Sequence, residues 1–264
     1  MHIKSLVGSL DFQIEQAIFE NTVKINPDLK YTENQMKYMN KLLSRIAEIG
    51  KMDLLPIDGV TYQYQLDAEL SRKRMIRYIM NYEIVIAALG IEEEYKHANF
   101  YDIIDLTDSA GNKINFTQNE SFYFSGIVGS GKTYTGICLL LQYYLRGMSV
   151  KYIKEFEFIE GLRILDMYER EKKIESVKQY EVLLIDDFGM YNNETDFITK
   201  THYRIFDYRH NQKLITLTTS NYLFNELFKN IKSDDMKMFE RTISRMAGLH
   251  KRKVELNKVD RRIK

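Results

Sequence analysis

The chain has 264 residues, 44% of them hydrophobic, which suffices for one sizeable domain and a smaller one. A formal net charge of +1, with interspersed acidic and basic residues, does not by itself indicate nucleic-acid or membrane binding. The single cysteine, Cys138, excludes disulfides and a cysteine-ligated zinc site, and the lack of a long apolar run or secretory signal predicts a cytoplasmic protein with no membrane partner.

The first 85 residues predict a small, mainly helical domain. Apolar residues recur at helical spacing in 11–23, 33–50 and 67–90, and Gly50 is a natural end for the second of these helices. Between the second and third helices, Pro56, Gly59 and a short alternation at Val60, Tyr62 and Tyr64 predict a turn or a brief strand pair. A separate helical module rich in Met and Tyr is best interpreted as a partner-docking domain, because such faces adapt to another protein's surface.

Residues 86–264 are assigned to a second domain, in which strands alternate with helices from residue 120 onward. This alternation predicts an α/β fold with a parallel sheet and crossover helices, and ligands at the carboxyl ends of the strands. Strands are predicted at 121–127, 149–156, 181–189, 213–221 and, as a possible fifth, 251–256. Helices are predicted at 132–148, 157–179, 194–211 and 238–250.

The stretch "GIVGSGKT" has the spacing of a phosphate-binding loop between a strand and a helix. Its glycines allow the backbone to take positive φ and to approach phosphates closely. Lys132 would reach the β- and γ-phosphates of ATP, and the Thr133 hydroxyl would ligate Mg²⁺. The predicted cofactor-binding residues are Gly126, Gly129, Ser130, Gly131, Lys132, Thr133 and Tyr134.

Two aspartates end the apolar run Val182–Ile185. A P-loop ATPase needs an acid at this place to hold Mg²⁺, so Asp186 is assigned to the metal and Asp187 to orienting and deprotonating the attacking water. The alternative is a solvated cap at the end of a strand.

A polar tip and two arginines complete the candidate site. The strand "LITLTTSN" ends in Thr219, Ser220 and Asn221, which can hydrogen-bond the γ-phosphate or the lytic water, or can form an ordinary Asx turn. Arg241 and Arg245 are four residues apart and share one helix face. In a ring or filament of ATPases, an arginine from a neighbour can neutralise charge in the transition state; otherwise these side chains are simply solvated.

These motifs, with "GIEEEYKHANFYDI" and "FDYRHNQKLITLTTSN", resemble in order and spacing the AAA+ ATPases of the bacterial helicase-loader group (DnaC and DnaI type) and the similar IstB-type transposition helpers. The resemblance covers about residues 88 to 256. It implies a P-loop AAA+ fold without a full helical lid, a γ-phosphate sensor at Asn221, arginine fingers at Arg241 or Arg245, and an adenine site beside residues 100–103. Asp187 is shorter than the glutamate most AAA+ enzymes have there, which implies slow hydrolysis.

The leading functional hypothesis is an ATP-dependent loader or remodeller that docks on a replicative helicase through its N-terminal helices, binds single-stranded DNA and forms a homo-oligomer. The basic stretches "SRKRMIR" and "KRKVELNKVDRRIK" can make phosphate contacts, and they are equally compatible with solubility. A transposition helper that binds duplex DNA and recruits a transposase is the second hypothesis. A nucleotide-gated adaptor that hardly turns over ATP is a third, and a small-molecule kinase fits least.

Overall fold

A computed structural model of the protein describes residues 32–52, 61–116, 119–191 and 193–256; the first predicted helix, 11–23, lies outside them. The chain divides into two compact units. One comprises the chain up to Ile103 together with Leu141–Met148, and the other comprises Ile104–Leu140 and the chain from Ser149 onward. Among the helices within the described ranges, none is long and apolar enough to cross a membrane.

The first unit is helical, as the sequence predicts. It contains α1 (Glu33–Met52), α2 (Thr61–Met80), α3 (Tyr82–Ala88) and two 3-10 turns, at Glu93–Tyr95 and Phe100–Asp102. Met39 on α1 and Ile76 on α2 are fully buried, and the rings of Tyr38 and Tyr78 meet edge-on at 6.3 Å. Burying an apolar side chain of this size contributes roughly 1.5–3 kcal/mol, so the apolar stripes stabilise the packing of α1 on α2.

Three local predictions in this unit were wrong. Tyr62 and Tyr64 lie in α2 rather than in a strand pair, because the helix from Thr61 onward contains no proline or glycine that would interrupt it. Pro56, Gly59 and Val60, on which the prediction also rested, lie outside the described residues. α1 passes Gly50 and ends at Met52, because one glycine costs a helix only about 1 kcal/mol. The predicted third helix is interrupted at Asn81, whose Oδ1 accepts the Ile84 N–H and starts α3.

Residues 141–148 of this unit include the end of the helix that follows the phosphate loop, α4 (Lys132–Leu145). The Ser71 hydroxyl of α2 donates to the Leu145 carbonyl at 2.6 Å. The Arg74 guanidinium donates to the carbonyls of Tyr144 at 3.0 Å and Met148 at 2.6 Å. Carbonyls at a helix end have no partner inside the helix, so Arg74, from the basic stretch "SRKRMIR", has a structural role here.

The second unit is built on a five-stranded parallel sheet, which confirms the predicted fold class. The sheet strands are β1 (Phe122–Ser125), β2 (Val150–Lys154), β3 (Val182–Asp186), β5 (Ile215–Ser220) and β7 (Arg252–Glu255). A small parallel pair is formed by β4 (Asn193–Glu194) and β6 (Lys232–Ser233). Further helices are α5 (Glu155–Arg163), α6 (Met167–Lys178), α7 (Asp196–Asn211), α8 (Leu227–Asn230) and α9 (Met236–Leu249), with a 3-10 turn at Phe224–Glu226.

The strand order in the main sheet is β2-β3-β5-β1-β7. Because all these strands are parallel, their carboxyl ends share one edge, where the phosphate loop after β1 and the aspartates at the end of β3 emerge. β5 separates β1 from β3, so its end stands between the two motifs. This order brings two motifs that are distant in the sequence to a single edge of the sheet.

Two features of this unit were not predicted. The helix predicted over 157–179 is two helices, because the Asp166 side chain accepts the Glu169 N–H and starts α6 anew. The pairing of β4 with β6 is only two residues long, too short to leave a pattern in the sequence. It joins the segment after the aspartates to the segment that leads into α9.

Arg209 on α7 is fully buried, and its hydrogen-bond acceptors in the described chain are all uncharged. The guanidinium donates to the Thr216 hydroxyl at 2.8 Å and to the carbonyls of Lys178, Tyr180 and Ile215. Burial lowers the pKa of Arg209 to about 9, which reflects the cost of holding a cation away from water. The side chain ties the end of α6 to the start of β5.

Candidate functional site

The loop between β1 and α4 has the backbone of a phosphate cradle. Gly126, Gly129 and Gly131 have φ of 149°, 80° and 92°, values that residues with a Cβ rarely adopt. A Cβ at Gly126 would lie 2.9 Å from the Ser130 Oγ, so a larger residue there would crowd the loop. The loop runs directly into α4, whose first N–H groups and helix dipole favour an anion.

Polar groups inside this loop fit a bound triphosphate. The Ser130 hydroxyl is buried and has no hydrogen-bond partner within the described residues, an arrangement that usually marks a site for a ligand or water. The Lys132 ammonium donates to the carbonyls of Gly126 at 3.0 Å and Ile127 at 2.9 Å, so it is held inside the loop. Tyr134, the last residue assigned to the cradle, lies half-buried in the first turn of α4.

The two residues assigned to Mg²⁺ are in direct contact. The Thr133 hydroxyl donates to Asp186 Oδ1 at 2.9 Å. The Thr219 hydroxyl donates to the same oxygen, and the Tyr152 hydroxyl donates to Oδ2 at 3.1 Å. A hydroxyl and a carboxylate are a fitting donor set for Mg²⁺, which takes few protein ligands and completes its shell with phosphates and water. No cluster of three or more His, Cys, Asp or Glu that could hold a metal occurs in the described parts of the chain.

Burial governs the acid chemistry of Asp186. Loss of water raises the pKa of its carboxyl, and the negative charge of Asp187 raises it further. The hydroxyls of Thr219, Thr133 and Tyr152 oppose this shift because they donate hydrogen bonds to the ionised form. A cation beside this carboxylate would favour ionisation as well.

Asp187 follows β3 in a strained conformation and is half-buried. Its φ of 55° lies in the left-handed region, which is costly for a residue with a Cβ. The Asp187 N–H donates to the Thr219 hydroxyl at 2.9 Å and the Phe188 N–H donates to the Thr219 carbonyl at 2.8 Å. β5 therefore holds the backbone that presents this carboxylate.

The polar tip of β5 divides into buried and exposed residues. Thr219 is fully buried on Asp186, and Ser220 is buried with its hydroxyl donating to the Phe188 carbonyl at 2.7 Å. Asn221, the residue assigned as γ-phosphate sensor, is exposed directly after the strand. Its position at the carboxyl edge of the sheet leaves its side chain accessible to a ligand.

The two arginines lie on α9, outside the hydrogen-bonded cluster around Asp186. Arg241 is exposed. Arg245 is partly exposed, and its Nε donates to Asp207 Oδ1 of α7 at 2.7 Å. The segment assigned to adenine, 100–103, contains the 3-10 turn Phe100–Asp102 and belongs to the first compact unit.

Sequence reasoning missed two side chains that support the aspartates, Tyr152 and the buried Thr219. Thr219 was grouped with the polar tip, but its contacts with Asp186 and Asp187 depend on the strand order, which places β5 beside β3. Tyr152 is the third residue of β2, and its burial on Asp186 follows from the pairing of β2 with β3. The alternation of apolar and polar residues in β2 was the available signal that Tyr152 is buried. It does not identify Asp186 as the residue that Tyr152 contacts.

Comparisons with known proteins identify a family and similar folds. A family model described as IstB-like ATP binding protein matches residues 91–264. A crystal structure of DnaI is similar at 20% identity and a TM-score of 0.53, over 65% of this chain and 94% of that chain. A crystal structure of the DnaC helicase loader is similar at 21% identity and a TM-score of 0.50, over 63% of this chain and 100% of that chain. Comparison with curated proteins gave no match. The structural likenesses show a shared fold.

Proposed function

The chain belongs to the family of IstB-like ATP binding proteins, and from this premise we propose that it is an ATPase, slow in turnover and dependent on assembly or DNA. The observation that carries the proposal is the contact of Thr133 with Asp186, which joins a glycine-rich phosphate loop to an acidic strand end. The same pair is what a P-loop ATPase needs around its metal.

Each residue of the site has a chemical task in this proposal. The loop N–H groups and Lys132 would bind the phosphates of ATP, and Thr133 and Asp186 would hold Mg²⁺. Mg²⁺ would neutralise charge on the β- and γ-phosphates. Asp187 orients a water molecule and accepts its proton. Asn221 hydrogen-bonds the γ-phosphate or that water.

Two variants test the chemistry. Lys132→Ala should abolish ATP binding, measured by calorimetry with magnesium, because the loop loses its charge toward the phosphates. Asp187→Asn should still bind ATP, since Asp186 and the loop are intact, while turnover falls because the base is gone. Lys113→Ala, at an exposed lysine paired with Asp105, is the matched control and should behave like the parent. Parent-like affinity in Lys132→Ala would refute the phosphate cradle.

For the cellular role, we propose a replication helper that loads or remodels a replicative helicase on single-stranded DNA. The fold shared with DnaI and the DnaC helicase loader supports this role. The helical region of residues 1–85 is proposed as the docking domain for the helicase. On the α5–α6 corner, the exposed Tyr168 ring offers a surface on which a base could stack, with Ile164 and Met167 as exposed apolar neighbours. Lys251, just before β7, is an exposed cation suited to phosphates.

The second candidate role is a transposition helper that binds duplex DNA and recruits a transposase. The match to the IstB-like family favours this role, and its ATPase site would be the same. Binding of the full chain to single-stranded and duplex DNA of one sequence, with ATP present, separates the two roles. Preference for single strands together with capture of a replicative helicase supports the loader; preference for duplex together with capture of a transposase supports the helper.

A further inference from the structure

The turn after Asp187 is held by an unusually complete set of hydrogen bonds. The N–H groups of Asp187 and Phe188 bond to Thr219, as described. The next two, of Gly189 at 2.9 Å and Met190 at 3.1 Å, both donate to one carboxylate oxygen, Oε2 of Glu155. Gly189 also has positive φ, 91°, which glycine takes without a steric penalty, so the strained position that this support stabilises is Asp187.

Glu155 is the first residue of α5 and follows β2, the neighbour of β3 in the sheet. The side chain is only 1% exposed, so it is removed from water and from substrate. Its second oxygen, Oε1, lies 3.0 Å from Nε2 of His202 on α7, which is also buried. The His202 ring packs against Phe188 at 5.1 Å. Glu155 therefore contacts the turn through Gly189 and Met190, and His202 of α7 contacts it through Phe188.

A buried carboxylate is costly unless several groups satisfy it, so a role limited to filling space would be served better by an apolar residue. Two consecutive N–H groups converging on an anion form a rigid concave turn. The only residue of this turn with a chemical assignment is Asp187, which lies two residues before the first N–H that Glu155 binds.

We propose that Glu155 is a positioning residue for ATP hydrolysis, which holds the turn 187–190 so that the Asp187 carboxylate stays directed at the attacking water. This inference rests on the proposed function, because it requires Asp187 to act on water. Glu155 touches neither nucleotide nor water in this role and acts through the backbone of Gly189 and Met190.

The experiment compares three substitutions in the full chain. Glu155→Ala removes both acceptors, and Glu155→Asp keeps the charge but is one methylene too short to reach the turn. Both should lower kcat by about 10- to 100-fold, the range expected for a misplaced catalytic group, with ATP affinity unchanged. Glu155→Gln keeps the reach and one acceptor oxygen and should restore most of the turnover. Ser121→Ala is the control, since it removes a buried hydroxyl that accepts the Thr216 N–H at the opposite end of β5.

A double-mutant cycle separates positioning from general loss of structure. In an Asp187→Asn background, Glu155→Asp should cause no further loss of kcat, because the group it positions is already absent. If the losses of kcat in the two single variants add in the double variant, the positioning role is overturned. The same holds if Asp187→Asn is impaired while Glu155→Asp has a parent-like kcat. Either result leaves the proposed ATPase intact. Parent-like turnover in Asp187→Asn itself would remove Asp187 from catalysis and this inference with it. If Glu155→Ala does not fold, the Asp and Gln variants still decide.

Discussion

Thr219 is the residue at which the phosphate loop, β3 and β5 meet. Its hydroxyl donates to Asp186 and accepts the N–H of Asp187. The Thr219 hydroxyl thus fixes the two aspartates relative to each other. It also fixes them relative to Thr133, whose hydroxyl donates to the same Asp186 oxygen, Oδ1. In the proposed ATPase, Thr219 would support catalysis through the two aspartates, without contacting the nucleotide.

Replacing this hydroxyl gives a test at the scale of one atom. Thr219→Val keeps the volume but leaves the Asp187 N–H without its acceptor, so we expect a loss of about 1–3 kcal/mol in the free energy of unfolding. Turnover should fall as well, because the Asp187 backbone is released from its strained φ. Urea unfolding and steady-state ATP hydrolysis measure the two effects.

The neighbouring residue provides the control for that variant. Thr218 is equally buried, and its hydroxyl hydrogen-bonds the His250 Nε2 on the other face of β5, at 2.9 Å. Thr218→Val should lose comparable stability and keep parent-like turnover. Equal turnover losses in both variants would show that Thr219 acts only by stabilising the sheet.

Part of this site could be predicted from the sequence alone. Lys132, Thr133 and the two aspartates stand in motifs whose spacing is read along the chain, so strand order is not needed to find them. Glu155 and Thr219 have no such spacing. Their roles arise because β2, β3 and β5 are adjacent, and adjacency comes from packing of the whole sheet rather than from local sequence.

At the scale of elements, the end of α9 is joined to the sheet through a buried histidine. The His250 ring makes hydrogen bonds with the Thr218 hydroxyl through Nε2 and with the Met246 carbonyl through Nδ1, both at 2.9 Å. Burial lowers the pKa of His250 to about 4. The neutral ring serves both contacts, donating from Nδ1 and accepting at Nε2.

This histidine predicts a pH dependence of stability. Between pH about 4 and 6.5 the unfolded chain binds a proton at this position and the folded chain does not, so stability is complete above about pH 6.5 and is lost as pH falls, by up to about 1.4 kcal/mol per pH unit. Urea unfolding of the parent and of His250→Gln at pH 7, 6 and 5 measures the difference. If both proteins lose stability with the same slope, His250 does not titrate on unfolding.

Elements were predicted best where their patterns are long. The buried strands and α4 and α7 have apolar runs or helical spacing over many residues, and they form as expected. The strand prediction for Tyr62 and Tyr64 was wrong because so short an alternation fits a helix equally well. The helix breaks at Asn81 and Asp166 depend on single capping side chains, which outweigh the hydrophobic periodicity on either side.

At the scale of the whole molecule, the proposed ATPase requires a second copy if an arginine of α9 acts as a finger. Arg245 or Arg241 of one subunit would then complete the site of the next, and specific activity should rise with protein concentration. Loss of the finger should lower turnover by at least roughly 1,000-fold while ATP binding remains. Hydrolysis measured over a concentration series with Arg241→Ala and with Arg245→Ala tests this.

A mixture of two variants tests whether the arginine of one subunit acts in the site of another. Arg245→Ala supplies an intact phosphate loop and Lys132→Ala supplies intact arginines, so the mixture should recover activity that neither variant has alone. Asp207→Asn, which removes the Arg245 ion pair and keeps the arginine, should stay active because a partly exposed pair contributes about 0–1 kcal/mol. Activity in both arginine variants equal to that of the parent would exclude the finger assignment.

The buried guanidinium of Arg209 has a consequence for how the second unit opens. Its acceptors come from the end of α6, the turn at Tyr180 and the start of β5. Stripping water from this cation without those acceptors costs several kcal/mol, so no one of these segments can detach while the others remain. Native-state hydrogen exchange should therefore show the slowest amides of α6, α7 and β5 opening together, with one common free energy, as a single cooperative block.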